Sequence, residues 1–218
     1  MSFLSDPPLS SIHTDQLVRL ELPEESRPLD LPALFGNERP VELEIGIGKG
    51  RFVVLAAAAF PEVNFLGVEC AKRYLAQAIE RAGKRGLTNV RLAHAEGAAF
   101  VRERLADRSI DAAHLYFPDP WPKTRHHKRR FVQPANLDQL ARVMKPGALL
   151  RAVTDHPGYA EWIADHLARH GAFADAGAEQ ALWNLPGMGD HTVMGVTNFE
   201  IKYRREGRPF HRFAWVRR

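Results

Sequence analysis

The chain has 218 residues, 45% of them hydrophobic and 26% charged, which is enough for one domain with a proper core. Its single cysteine, Cys70, excludes an internal disulfide, and its longest apolar run, Phe52 to Phe60, is far short of the ~18 residues a membrane span needs. The formal charge is +4, and the excess gathers between Lys123 and Arg130 and in the tail after Lys202, which favours a local anionic partner over general adhesion.

In chain order, residues 1–40 are proline-punctuated and read as an N-terminal arm with one short turn between Asp30 and Gly36. The start carries no basic stretch leading into an apolar one, so no signal peptide is expected and the protein is expected in the cytoplasm. From Val41 to Arg218 the pattern is that of one domain. VELEI (41–45) predicts a strand, and Gly46-Ile47-Gly48-Lys49-Gly50 a turn into an alanine-rich helix stopped by Pro61. NFLGVE (64–69) predicts a second strand, 72–85 a second helix, NVRLA (89–93) a third strand and 98–106 a third helix. DAAHLYF (111–117) is a fourth strand, 134–145 a helix, ALLRAVT (148–154) a fifth strand, 157–170 a helix and AFADA (172–176) a short strand. Residues 177–196 carry no pattern. Thr197-Asn198-Phe199-Glu200 predicts a capping box whose helix ends at Gly207, and PFHRFAWV (209–216) a closing strand. Strand and helix alternating at this spacing give an α/β fold, an open, mostly parallel sheet with helices on both faces. Ligands in such sheets sit beyond the carboxyl ends of the strands, at the topological switch point.

The glycine loop after Glu44 is neither of the common phosphate loops. No Gly-Lys is followed by Ser or Thr, and Arg51 stands where a dinucleotide fingerprint has its third glycine. Glu44 would repel a pyrophosphate but suits a ligand with an ammonium group. Glu69 ends the second strand, where an acid grips ribose hydroxyls in this architecture, and Glu96 follows the third, within reach of an adenine amino group. Each acid alone also suits a helix start. Three acids at successive strand ends beside Gly46 and Gly48 outline a site for S-adenosylmethionine, a nucleoside with an amino acid, a sulfonium and no phosphate. His166 and His170 are four apart on a helix but lack a third ligand, so no metal is expected.

Between the fourth strand and the next helix runs YFPDPWPKTRHHKRRF, Tyr116 to Phe131. Pro118, Pro120 and Pro122 stiffen the backbone and hold Asp119 and Trp121 in set directions. Lys123, Arg125, His126, His127, Lys128, Arg129 and Arg130 then form a basic run without an acid, which suits RNA, although such runs are also common as solvated faces. Asp155 ends the fifth strand and Glu200 opens the last helix, so both should border the same crevice; Asp155 also suits an N-cap for the helix at Pro157.

The run Phe117-Pro118-Asp119-Pro120-Trp121 with its basic sequel, Glu44-Ile45-Gly46-Ile47-Gly48, Thr154-Asp155 and Thr197-Asn198-Phe199-Glu200 together resemble the bacterial tRNA (guanine-N7)-methyltransferases over about residues 40–205. The resemblance implies a Rossmann-like class I fold and methyl transfer from S-adenosylmethionine to N7 of the variable-loop guanine of tRNA. It places Glu44, Gly46, Gly48, Glu69, Glu96 and Asp119 at the cofactor, with Asp119 also catalytic. It places Lys123, Asp155, Thr197, Asn198, Phe199 and Glu200 on the substrate side. Here Glu96 replaces the family's usual Asp, Pro122 a common His, and Asn198 a frequent Lys. Methylation of another RNA site or of a small molecule, and non-catalytic RNA binding, stay open at this point, as do monomer and homodimer.

Overall fold

A computed structural model describes residues 16–177, 180 and 197–218. The strands are β1 (Arg19–Leu20), β2 (Val41–Ile45), β3 (Asn64–Glu69), β4 (Val90–His94), β5 (Ile110–Tyr116), β6 (Met144–Thr154), β7 (Phe173–Asp175) and β8 (His211–Arg217). They form one sheet in the order β1-β4-β3-β2-β5-β6-β8-β7. Pairing is parallel from β1 to β6, whereas β8 runs antiparallel to both β6 and β7. The chain winds outward from β2 through β3 to β4, then returns across the sheet to β5, so the crevice opens between the carboxyl ends of β2 and β5.

The helices are α1 (Leu31–Phe35), α2 (Arg51–Ala59), α3 (Lys72–Gly83), α4 (Gly97–Arg104), α5 (Pro134–Val143), α6 (Pro157–Arg169) and α7 (Asn198–Arg205). Two cores flank the sheet. One packs Phe52, Val53, Ala78 and Ile79 of α2 and α3 on Leu92 and Tyr116. The other packs Phe100, Leu137, Leu140, Ile163 and Leu167 of α4, α5 and α6 on Leu43, Leu66, Leu115 and Leu150. β3 is buried throughout, as expected for a parallel strand covered on both faces.

The N-terminal arm does more than lie over the domain, since Arg19 and Leu20 add an edge strand beside Leu92 and Ala93 of β4. The short turn expected after Asp30 is α1, capped by the Asp30 carboxylate accepting from the Ala33 N–H and closed by Gly36 at φ 71°. The fifth expected strand begins earlier than the hydrophobic pattern indicates. Pro146 keeps Lys145 out of the helical region, so α5 stops at Val143 and β6 pairs at Met144 before a bulge and again from Leu149. Of the unpatterned stretch 177–196, only residues 177 and 180 lie among the described residues.

Candidate active site

Glu44, on β2, is buried, and burial pushes its carboxyl up to about 8. The Val53 backbone N–H at the start of α2 offsets part of that, and the nearby Glu69 charge adds to it. Its Oε2 is buried and has no hydrogen-bond partner among the described residues. A buried carboxylate oxygen without a partner is costly, and a cationic ligand group would relieve it.

Glu69 ends β3 and is buried. Its Oε2 accepts the Gly48 N–H at 2.8 Å and its Oε1 the Ala71 N–H at 2.8 Å. Gly46 at φ 76° and Gly48 at φ 53° take the left-handed backbone that lets the loop turn, and a Cβ on either would meet nothing within 4 Å. That open space beside two glycines and an unpartnered acid fits S-adenosylmethionine, whose ammonium group Glu44 can face and whose ribose hydroxyls Glu69 can accept. Gly50, by contrast, is required by packing, because its Cβ would lie 2.5 Å from that of Ala78.

Glu96 is the N-cap of α4, its two oxygens accepting from Ala98 N at 3.0 Å and Ala99 N at 2.7 Å. The carboxylate is therefore engaged locally, at the start of α4. Gly97 follows because a Cβ there would approach Ile45 Cγ2 to 2.6 Å.

Asp119 stands exposed on the proline loop. Phe117 and Trp121, at the loop's two ends, adopt φ of 50° and 42°, a region that costs a bulky residue energy and is held only by its surroundings. Here the Phe117 N–H donates to the Val153 carbonyl at 2.7 Å, and the Arg130 Nε donates to the Pro120 carbonyl at 2.9 Å. Burial pushes up the Cys70 thiol, next to Glu69, and the Tyr159 hydroxyl of α6, and the Asp119 charge adds a smaller push to each. The loop follows β5 directly, so it starts at the rim of the crevice between the carboxyl ends of β2 and β5.

The basic run folds back as a 3-10 turn over Thr124–Arg129. Lys123, Arg125, Lys128 and Arg129 are exposed, with the Arg129 guanidinium 4.9 Å over the Trp121 ring and His126 edge-on to it at 5.8 Å. His127 packs on Trp162 at 5.3 Å. Arg130 departs from the expected solvent-facing arm. It is only 3% exposed and lies 5.0 Å from the Tyr159 ring and 4.8 Å from that of Trp162, so it staples the loop from inside. Gln133 adds hydrogen bonds to the carbonyls of Lys128 at 2.6 Å and Arg130 at 2.8 Å.

Only half of the expected capping box forms. Thr197 Oγ1 accepts the Glu200 N–H at 3.0 Å, but the Glu200 carboxylate accepts from Arg204 and Arg212, both at 2.9 Å. Two arginines outcompete one backbone N–H, and the pair anchors α7 to β8. Asn198 is half-buried and Phe199 exposed. Asp155 does not cap α6; His156 does, through Nδ1 and the Tyr159 N–H, while Asp155 accepts from Arg208 at 3.1 Å. His170 pairs with Asp138 at 3.1 Å and His166 stacks on Trp162 at 4.1 Å, which accounts for both.

Sequence reasoning missed a buried chain beside the site. His114 on β5 meets Glu42 at 2.8 Å through Nε2 and the Tyr116 hydroxyl at 3.0 Å through Nδ1. The signal was present as polar residues at alternate positions of two buried strands, Glu42 with Glu44 and His114 with Tyr116, on the face toward α2.

Residues 38–213 match the family Methyltransf_4, described as "Putative methyltransferase". A tRNA (guanine-N(7)-)-methyltransferase of Nocardia farcinica is 38% identical over 197 residues, spanning 86% of this chain and 71% of the relative. Its counterpart in Halorhodospira halophila is 39% identical over 183 residues, spanning 84% and 77%. Among solved structures, the 16S rRNA methyltransferase KamB superposes with a TM-score of 0.57 at 17% identity, covering 88% of this chain and 94% of that one. Likeness at that identity speaks for the fold alone.

Proposed function

The chain belongs to the tRNA (guanine-N7)-methyltransferase family, and from that premise we propose that it methylates N7 of the variable-loop guanine of tRNA in the cytoplasm. The observation that carries this reading is the unpartnered Oε2 of Glu44, buried in an acid-lined crevice behind an exposed cationic turn. When bound, S-adenosylmethionine supplies an electrophilic methyl on a sulfonium.

N7 has an in-plane lone pair and no proton, so the chain needs no general base to make the nucleophile. Were S-adenosylmethionine held by these residues, N7 would take its methyl, the sulfur would keep the electron pair of its bond to that methyl, and the purine would become cationic. The chain's contribution is alignment, worth several kcal/mol when geometry is held. Glu44, the glycine loop and Glu69 fix the donor. Lys123, Arg125, Lys128 and Arg129 hold phosphates and set where the base enters. Asp119, on its stapled loop, orients the guanine and stabilises the charge that develops on it.

Incubation with radiolabelled S-adenosylmethionine and a tRNA transcript tests the site of transfer. Label should enter the native transcript and not one with adenine in place of the variable-loop guanine; equal labelling of both would overturn the proposed position.

A further inference from the structure

Lys49 in the glycine loop and Arg81 in the last turn of α3 are 32 residues apart, yet the fold brings them together. Gly50 packs on Ala78 with no room for a Cβ, which locks the loop to α3. Arg81 Nη1 donates to the Lys49 carbonyl at 3.1 Å, so one guanidinium is fixed beside the loop. Burial lowers the nearby Arg51 guanidinium from its ordinary value, and the charges of Arg81 and Arg85 push it down further, against a weaker pull from Glu200. Glu200 is itself held by Arg204 and Arg212. The one acid of α3, Glu80, pairs with Lys84. Among the described residues, Lys49, Arg81 and Arg85 pair with no carboxylate. Like charges gathered without an acid repel one another in the folded chain, and an anion would relieve that. A run of cations along one helix is commonly a solvated face. Cations that converge from a loop and a helix locked together are a built surface.

We propose that Lys49, Arg81 and Arg85 are a second anchor for the phosphate backbone of tRNA. The proposal rests on the tRNA reading above and deepens it. α2 and α3 cover one face of the sheet, whereas the basic turn packs through His127 and Arg130 on α6, over the other. A nucleotide drawn into the crevice between β2 and β5 has chain leaving on both its 5′ and its 3′ side. The turn takes phosphates on one face, and the patch beside the glycine loop takes them on the other. Held on both sides, the strand cannot pivot about the turn, so the base enters in one orientation. Such contacts position the RNA without reading its sequence.

The test uses the full-length protein and a tRNA transcript, titrated at several salt concentrations. The side chains of Lys49 and Arg85 make no hydrogen bond among the described residues, so the double variant Lys49→Gln, Arg85→Gln should melt like the wild type. It should flatten the plot of log affinity against log salt by about 1.5 units, about 0.7–0.9 for each phosphate given up. Adding Arg81→Gln should flatten it by roughly another 0.7–0.9. Cofactor affinity of the double variant without tRNA should hold. Arg39 and Arg108 are exposed and precede β2 and β5, at the end of the sheet away from the crevice. Arg39→Gln with Arg108→Gln removes the same charge there and should keep the wild-type slope. A wild-type slope in the first double variant would overturn the proposal and leave the tRNA reading standing. Equal flattening by both double variants would overturn it too, by showing a response to net charge alone. A wild type that neither bound nor methylated tRNA would bring down the tRNA reading and this anchor with it.

Discussion

The Glu69 carboxylate accepts the backbone N–H of Gly48 at 2.8 Å, which ties the end of β3 to the glycine loop before any cofactor arrives. One acid thus shapes the loop, and its remaining acceptor capacity is what the proposed function assigns to a ribose. Glu69→Ala should weaken S-adenosylmethionine binding by about 1.5–3 kcal/mol, the range for hydrogen bonds to a charged group. Affinity for tRNA without cofactor should stay the same. Calorimetric titration with each ligand measures both, and an unchanged cofactor affinity would move the ribose site elsewhere.

Glu44 gives the site a pH signature. Its carboxyl is raised to about 8 in the folded chain, so the folded state binds a proton that the unfolded state releases at ordinary carboxylate pH. The associated stability is full below the unfolded value and is lost as pH rises through about 8. A cationic group beside Oε2 favours the ionised form, so cofactor binding should expel the proton. Between roughly pH 5.5 and 7.5 the affinity should improve by up to about tenfold per pH unit. Glu44→Gln should lose that slope. Calorimetry in buffers of different ionisation enthalpy counts the proton directly, and no release by the wild type would contradict the assignment.

The basic turn divides into exposed cations and one buried arginine. Replacing Arg125, Lys128 and Arg129 with alanine should flatten the plot of log affinity against log salt by about two units if most of the three hold phosphates. Cofactor affinity should hold. Arg130→Ala should leave that slope alone and instead destabilise the protein by about 2 kcal/mol, because a buried guanidinium between two rings is lost. Titrations at several salt concentrations, with thermal melts beside them, separate the two. A triple variant with the wild-type slope would mean that the turn is only a solvated face.

Most of the fold was legible because the parallel strands are short apolar runs bounded by glycine and proline, and the acids fall at their ends. Glu44, Glu69 and Asp119 could be placed near one another from that pattern alone. What local sequence could not show was competition between partners. Arg130 looks like its basic neighbours, and only the approach of Tyr159 and Trp162 from α6 buries it. Glu200 fits a capping box until Arg212, on a strand after the helix, claims its carboxylate. Pairing between Glu42 and His114 likewise spans 72 residues and depends on the order of strands.

Asp119 makes no hydrogen bond or ion pair among the described residues, so its removal should cost the fold little. Asp119→Ala should melt like the wild type yet slow methyl transfer about a hundredfold or more at saturating substrates, the scale of losing one preorganised electrostatic contact in a transition state. Single-turnover rates beside thermal melts give the comparison. Near-normal turnover would remove Asp119 from the chemistry.

Nucleoside mass spectrometry of tRNA after incubation with the protein and S-adenosylmethionine tests the central claim most directly. The account predicts 7-methylguanosine in the wild-type reaction and its near absence with Asp119→Ala. Guanosine methylated at another atom, methylation of a different base, or no methylated nucleoside from the active protein would contradict it.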